Sequence, residues 1–92
     1  MATIETVLVR SDHCLASGID DELVMIDVES GQYFSLDAIG HDIWNRLEQP
    51  VRVGDLCMAL EHAYAAPLDV ISVDVLRLLN SMAGEGLVKV VA

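Results

Sequence analysis

Glu22 to Asp37, ELVMIDVESGQYFSLD, reads as two β-strands around a turn that runs directly into a helix. Leu23, Val24, Met25 and Ile26 are consecutively apolar, which predicts a strand buried on both faces. One face can pack on helices. The other needs a cover, which either the N-terminal segment or a second copy of the chain would supply. Glu29-Ser30-Gly31 carries turn chemistry, with Gly31 free to take a positive φ, and the loop length fits an antiparallel hairpin. In the second strand, Gln32 to Leu36, Phe34 and Leu36 share one face while Tyr33 and Ser35 share the other. No later segment is strong enough to be its obvious partner. A strand left at a sheet edge can pair with another chain unless something blocks it.

Working outward, Asp37 is a good N-cap for a helix from about Ala38 to Glu48, with Ile39, Ile43, Trp44 and Leu47 at helical spacing. Gly40 weakens that helix by up to ~1 kcal/mol relative to Ala, and Pro50 marks its end. A second helix spans about Val53 to Ala65, where Val53, Leu56, Cys57, Leu60 and Tyr64 form an apolar stripe. Pro67 and Asp69 suit the first turn of a third helix, which runs to about Ala83 on a core line of Val75, Leu79 and Met82 with Leu76 beside it. Gly84 and Gly86 stop it. Thr6 to Arg10 and His13 to Ile19 have strand character, and Leu87 to Val91 is a further short strand that suits Thr6 to Arg10 as its partner. The expected fold is α+β: an N-terminal antiparallel three-stranded sheet, then three helices. The last two helices are joined by a short Pro-containing turn, as in a helix-turn-helix.

Ninety-two residues make one expected domain, 1–92, and 53% hydrophobic content supplies a core. No apolar run approaches the roughly 18–20 residues that span a bilayer. The first twelve residues lack the basic-then-apolar order of a secretory signal, so the expected location is cytoplasmic. Five basic residues against fifteen acidic ones give a net charge of −10. Arg10, Arg46, Arg52, Arg77 and Lys89 are scattered singly, so no cationic surface for nucleic acid is expected. The acidity favours a partner of basic character.

Nothing in the sequence composes a catalytic set. Cys14 and Cys57 are two separated cysteines, read as reduced thiols. Cys57 lies on the apolar stripe of the second helix and is expected in the core. A Cys14 nucleophile would need an electropositive setting that this chain lacks. His41 and His62 are expected as exposed helix residues. No His or Cys spacing matches a metal-ligand motif, so neither metal nor cofactor is expected. Asp20, Asp21, Glu22, Asp27 and Glu29 read as solvated charges around the hairpin. Two rival classes stand beside a binding role. A winged-helix transcription regulator conflicts with the charge. An acyl-carrier role needs a serine at a helix start, whereas Ser35 stands in strand sequence.

The order of these elements resembles the PqqD-like family, which includes the recognition proteins of lasso-peptide pathways. The likeness rests on IDVESGQYFSLD at Ile26 to Asp37, I-x-x-x-I-W-x-x-L at Ile39 to Leu47, Pro50, D-L-x-x-A-L at Asp55 to Leu60, D-V-L-x-L-L at Asp74 to Leu79 and G-L-V at Gly86 to Val88. It covers about residues 13–90. The family commonly has Asn where Asp37 stands, and Thr or Ser near Arg52, which leaves the start of the second helix weakly signalled. The resemblance implies a winged helix-turn-helix that binds the leader segment of a ribosomally made precursor peptide and presents it to a modifying enzyme, without being a catalyst. The leader would pair with Gln32, Tyr33, Phe34, Ser35 and Leu36, in a groove whose second wall is the third helix. There Asp74, Leu78 and Ser81 fall on one line with Arg77 alongside. Leu78 and Val70 are the expected apolar contacts, and Asp74 and Arg77 the polar ones. A homodimer is compatible with the doubly apolar strand Leu23 to Ile26.

Overall fold

The structure, a computed structural model, describes residues 2–91. The opening stretch forms the hairpin expected of it. Strands β2 (Cys14–Ile19), β3 (Glu22–Asp27) and β4 (Tyr33–Leu36) make one antiparallel sheet in that order. The remaining strands, β1 (Val7–Arg10), β5 (Val51–Arg52) and β6 (Val88–Val90), make a second antiparallel sheet in the order β5-β1-β6. The pairing of the last strand with the first is the one the sequence suggested, with Leu8 opposite Val90 and Arg10 opposite Val88. The two-residue β5 has no sequence signal of its own. It forms because the chain leaving the first helix passes along β1 on its way to the next helix.

Helices α1 (Ala38–Arg46), α2 (Val53–Tyr64) and α3 (Leu68–Gly84) follow the predicted order. The Asp37 side chain caps α1 by accepting from the Gly40 N–H at 2.8 Å. Arg52 gives α2 no side-chain cap. Instead the N–H groups of Val53 and Gly54 donate to the backbone carbonyls of Thr6 and Ile4, each at 2.9 Å. The N-terminal segment thus satisfies donors that a Ser or Thr would otherwise take. No helix among the described residues is long and apolar enough to cross a membrane.

One core cluster draws on both sheets and all three helices, with Leu8, Met25, Trp44, Leu56 and Leu79 among its buried side chains. Cys57 is in it, as expected. Four expectations need correction. Asp27 is not a solvated charge but buried, its carboxylate accepting from the backbone N–H groups of Glu29 and Ser30. Ile39 is not a core residue of α1 but stands 50% exposed. Side chains on a helix lean toward its N-terminus, so a residue in the first turn overhangs the strand before it rather than the core below. Tyr64 lies past the end of the buried stripe of α2 and is exposed, its hydroxyl donating to Asp42 at 2.7 Å. The strand Leu23 to Ile26 is not covered on both faces. Leu23 and Met25 are buried, whereas Val24 and Ile26 are half-buried on an outer face that the N-terminal segment does not reach, because that segment pairs in the second sheet.

Two glycines are needed where they stand. Gly31 closes the β3–β4 turn at φ +75°. Gly40 lets α1 approach β4, since a Cβ there would lie 2.9 Å from the Cβ of Leu36. That close approach outweighs its low helix propensity.

Candidate functional site

The hairpin register decides which backbone groups of β4 are available. In an antiparallel pair, opposite residues alternate between exchanging hydrogen bonds and not. The Asp27 N–H donates to the Gln32 carbonyl at 2.9 Å, which makes that a bonded pair. Met25 opposite Phe34 and Leu23 opposite Leu36 are then bonded as well. Tyr33 and Ser35 turn their N–H and C=O away from β3, toward an edge that no other strand occupies among the described residues. An added antiparallel strand can exchange four hydrogen bonds with these two residues.

Beside that edge runs a groove with α3 as its second wall. It consists of two hollows that share Ser35, Leu36 and Leu78. The first, of about 420 Å³, also takes in Ile39, Asp74 and Val75. The second, of about 240 Å³, takes in Phe34, Ser81, Met82 and Glu85. The floor is therefore apolar. Its charged margin is acidic, formed by Asp37, Asp74 and Glu85 with no cation lining either hollow.

The structure brings most of the expected residues together. Phe34, Ser35 and Leu36 face Asp74, Leu78 and Ser81 across the groove. Tyr33 is 75% exposed and points to the outer sheet face, contributing backbone rather than side chain to the groove. Gln32 precedes the strand and closes the hairpin through its carbonyl. Val70 and Arg77 line neither hollow. Arg77 sits 3.7 Å from Asp74 in an exposed i,i+3 ion pair, worth little in water. Sequence reasoning missed Ile39 and Glu85. Asp37 followed by a helix was the signal available for Ile39, because it places that residue in a first turn directly over β4.

A third hollow lies at the opposite edge of the same sheet, between β2 and α1. At about 550 Å³ it is larger than either half of the groove, and it is lined by Cys14, Ala16, Gly18, His41, Asn45 and Glu48 among others. By the same alternation, the Val28 N–H donating to the His13 carbonyl at 3.0 Å leaves Cys14, Ala16 and Gly18 as the residues whose backbone faces outward on β2. Arg10 closes one end, its guanidinium 5.5 Å from the Trp44 ring centre.

Neither cysteine is set up as a nucleophile. Burial pushes the Cys14 thiol up, and the charges of Asp27 and Glu29 push it further. Burial also raises Cys57, against a hydrogen bond with Ser72 that acts the other way. Ser35 lies in β4 and not at a helix start, which removes the geometry of a carrier serine.

Residues 22–88 match the family model described as coenzyme PQQ synthesis protein D (PqqD). Among curated proteins, none matches the chain. Among solved structures, "TbiB1 in Complex with the TbiA(beta) Leader Peptide" superposes with a TM-score of 0.82 at 31% sequence identity, covering 91% of this chain and 98% of that one.

Proposed function

Because this chain belongs to the PqqD family, we propose that it binds the leader segment of a ribosomally made precursor peptide by β-strand addition and presents it to a modifying enzyme of the same pathway. The protein does so as one domain and performs no chemistry on the peptide itself. The observation that carries this reading is the free edge of β4, with Tyr33 and Ser35 turned outward beside an apolar groove.

The leader pairs antiparallel with β4. Its residues opposite Phe34 and Leu36 drop their side chains into the groove, and those opposite Tyr33 and Ser35 lie on the outer face. Four backbone hydrogen bonds at a net ~1 kcal/mol each fall short of the roughly −8 kcal/mol of micromolar binding once association costs are met. The pockets around Ile39, Leu36 and Leu78 supply the remainder. Alternate apolar side chains, with flanks that are basic rather than acidic, suit the floor and its acidic margin. A cytoplasmic location fits a partner that meets its precursor before export.

The test is fluorescence anisotropy with a labelled leader from the neighbouring precursor gene. Saturable binding that is lost in a folded Ser35→Pro variant is the expected result. Unchanged affinity in that variant would sink strand addition, and retained affinity in Leu78→Asp would sink the α3 half of the groove.

A further inference from the structure

The fold brings His13 beside two carboxylates, Asp27 and Glu29, that stand much later in the chain. His13 precedes β2, Asp27 ends β3, and Glu29 stands in the β3–β4 turn. The Nδ1 of His13 lies 3.1 Å from Asp27 Oδ1 and 3.5 Å from Glu29 Oε2, and the three donor atoms lie within 4.8 Å of one another. The Cys14 sulfur is 3.9 Å from the same nitrogen.

We infer that His13, Asp27 and Glu29 form a binding site for a zinc-class divalent cation at the base of the hairpin that carries β4. Zinc binds imidazole nitrogen and carboxylate oxygen at about 2.0–2.2 Å, so ligand atoms on a tetrahedron around it are roughly 3.3–3.6 Å apart. The two distances from His13 fall close to that edge length. Two carboxylates and a neutral imidazole balance the charge of a divalent ion. The nitrogen donor, with a sulfur beside it, favours zinc and its transition-metal neighbours. Calcium takes six to eight oxygens, far more than this set provides.

The neutral imidazole with its hydrogen on Nε2 gives its Nδ1 lone pair to the cation, while Asp27 and Glu29 each contribute an oxygen. Asp27 keeps its orientation throughout, because its side chain also accepts from the backbone N–H groups of Glu29 at 2.9 Å and Ser30 at 3.4 Å. Such anchoring of a ligand by other hydrogen bonds is common at metal sites. The bound ion would clamp the β1–β2 connection to the β3–β4 turn and so fix the hairpin beside the open edge.

The experiment is calorimetric titration of zinc chloride into the whole protein, without leader, so that its outcome is independent of peptide binding. One ion per chain is expected, with affinity weakened about tenfold or more in His13→Ala and in Glu29→Gln. The Glu29 side chain is 71% exposed, so its amide variant should keep the fold. His62→Ala, which alters an exposed histidine elsewhere, should bind as the parent does. At one zinc concentration the melting temperature should also rise more for the parent than for Glu29→Gln. Absence of saturable binding, or His13→Ala binding as tightly as the parent, would overturn the site.

Discussion

The β2-β3-β4 sheet has two open edges, and each borders a hollow. The β2 edge offers three outward-facing residues and one hollow of about 550 Å³. The β4 edge offers two and a groove of two hollows, of about 420 and 240 Å³. Their linings differ more than their sizes. Beside β2 the lining is Cys14, Ala16 and Gly18, opposite His41, Trp44 and Asn45 of α1 and Glu48 beyond its end. Beside β4 it is Phe34 and Leu36, opposite Ile39 and Leu78. Outward backbone bonds bring register and little net affinity, because water already satisfies the same groups. Apolar pockets next to that backbone add the affinity. The β4 edge has both, so it is the lining rather than the volume that sets the two sides apart.

Proline substitution separates the two edges most sharply. Ser35→Pro removes an outward N–H and leaves a leader carbonyl unpaired, at a cost of about 1–3 kcal/mol, or roughly 5- to 150-fold in affinity. The β3–β4 ladder is untouched, so thermal unfolding should change little. Ala16→Pro makes the same change on β2 and should leave leader affinity within about twofold of the parent. Equal losses at both edges would erase the distinction.

The next effect tests the walls. Leu78→Asp should weaken leader binding by on the order of tenfold, from the loss of about 1.5 kcal/mol of apolar burial, the low end for a leucine already half-buried. Asn45→Asp, on the α1 wall of the opposite hollow, should leave it unchanged. Leu78 also packs partly against the core, so circular dichroism melts should accompany the titrations.

Acid should loosen the β4 side in particular. The backbone N–H of Glu29 first, then that of Ser30 and the His13 ring, hold the Asp27 carboxyl below its ordinary range. A lowered folded-state value means that this stabilisation is complete above the unfolded value of about 4 and disappears as the pH falls through the lower folded one. Urea midpoints at pH 7 and pH 3 should therefore drop further for the parent than for Asp27→Asn. A parallel drop in both would remove Asp27 from the acid response.

The smallest effect concerns the outer rim of α3. Arg77→Ala should alter leader affinity by no more than about twofold, since an exposed ion pair is worth 0–1 kcal/mol. Val70→Ala should behave alike, because neither residue lines the groove. A tenfold loss at either would extend the binding surface beyond the two hollows.

Local chemistry explains what was legible in advance. The hairpin was readable because Gly31 and the alternation in Gln32 to Leu36 act over a few residues. The helices were readable because Val53, Leu56, Cys57 and Leu60 repeat at helical spacing, and so do Val75, Leu79 and Met82. The missed features depend on what lies across space. Ile39 has the spacing of a core residue and ends in the groove, because it occupies the first turn over β4. Arg52 looks like a poor helix start until the carbonyls of Ile4 and Thr6 arrive from the other end of the chain. Val70 and Arg77 sit near Asp74 and Leu78 along α3, yet the angle at which the helix meets β4 turns them out of the groove.

The sequence by itself determined the elements, their order, the turn that joins β3 to β4 and the alternation that gives β4 its two faces. These follow from dihedral preference and periodic burial, which neighbouring residues decide among themselves. Only the folded arrangement reveals that the β2 edge is open as well, that Ile39 and Glu85 join the groove while Val70 and Arg77 leave it, and that His13 stands beside Asp27 and Glu29. Those outcomes depend on the separation of atoms far apart in the chain, which is fixed when the two sheets and three helices close around one core.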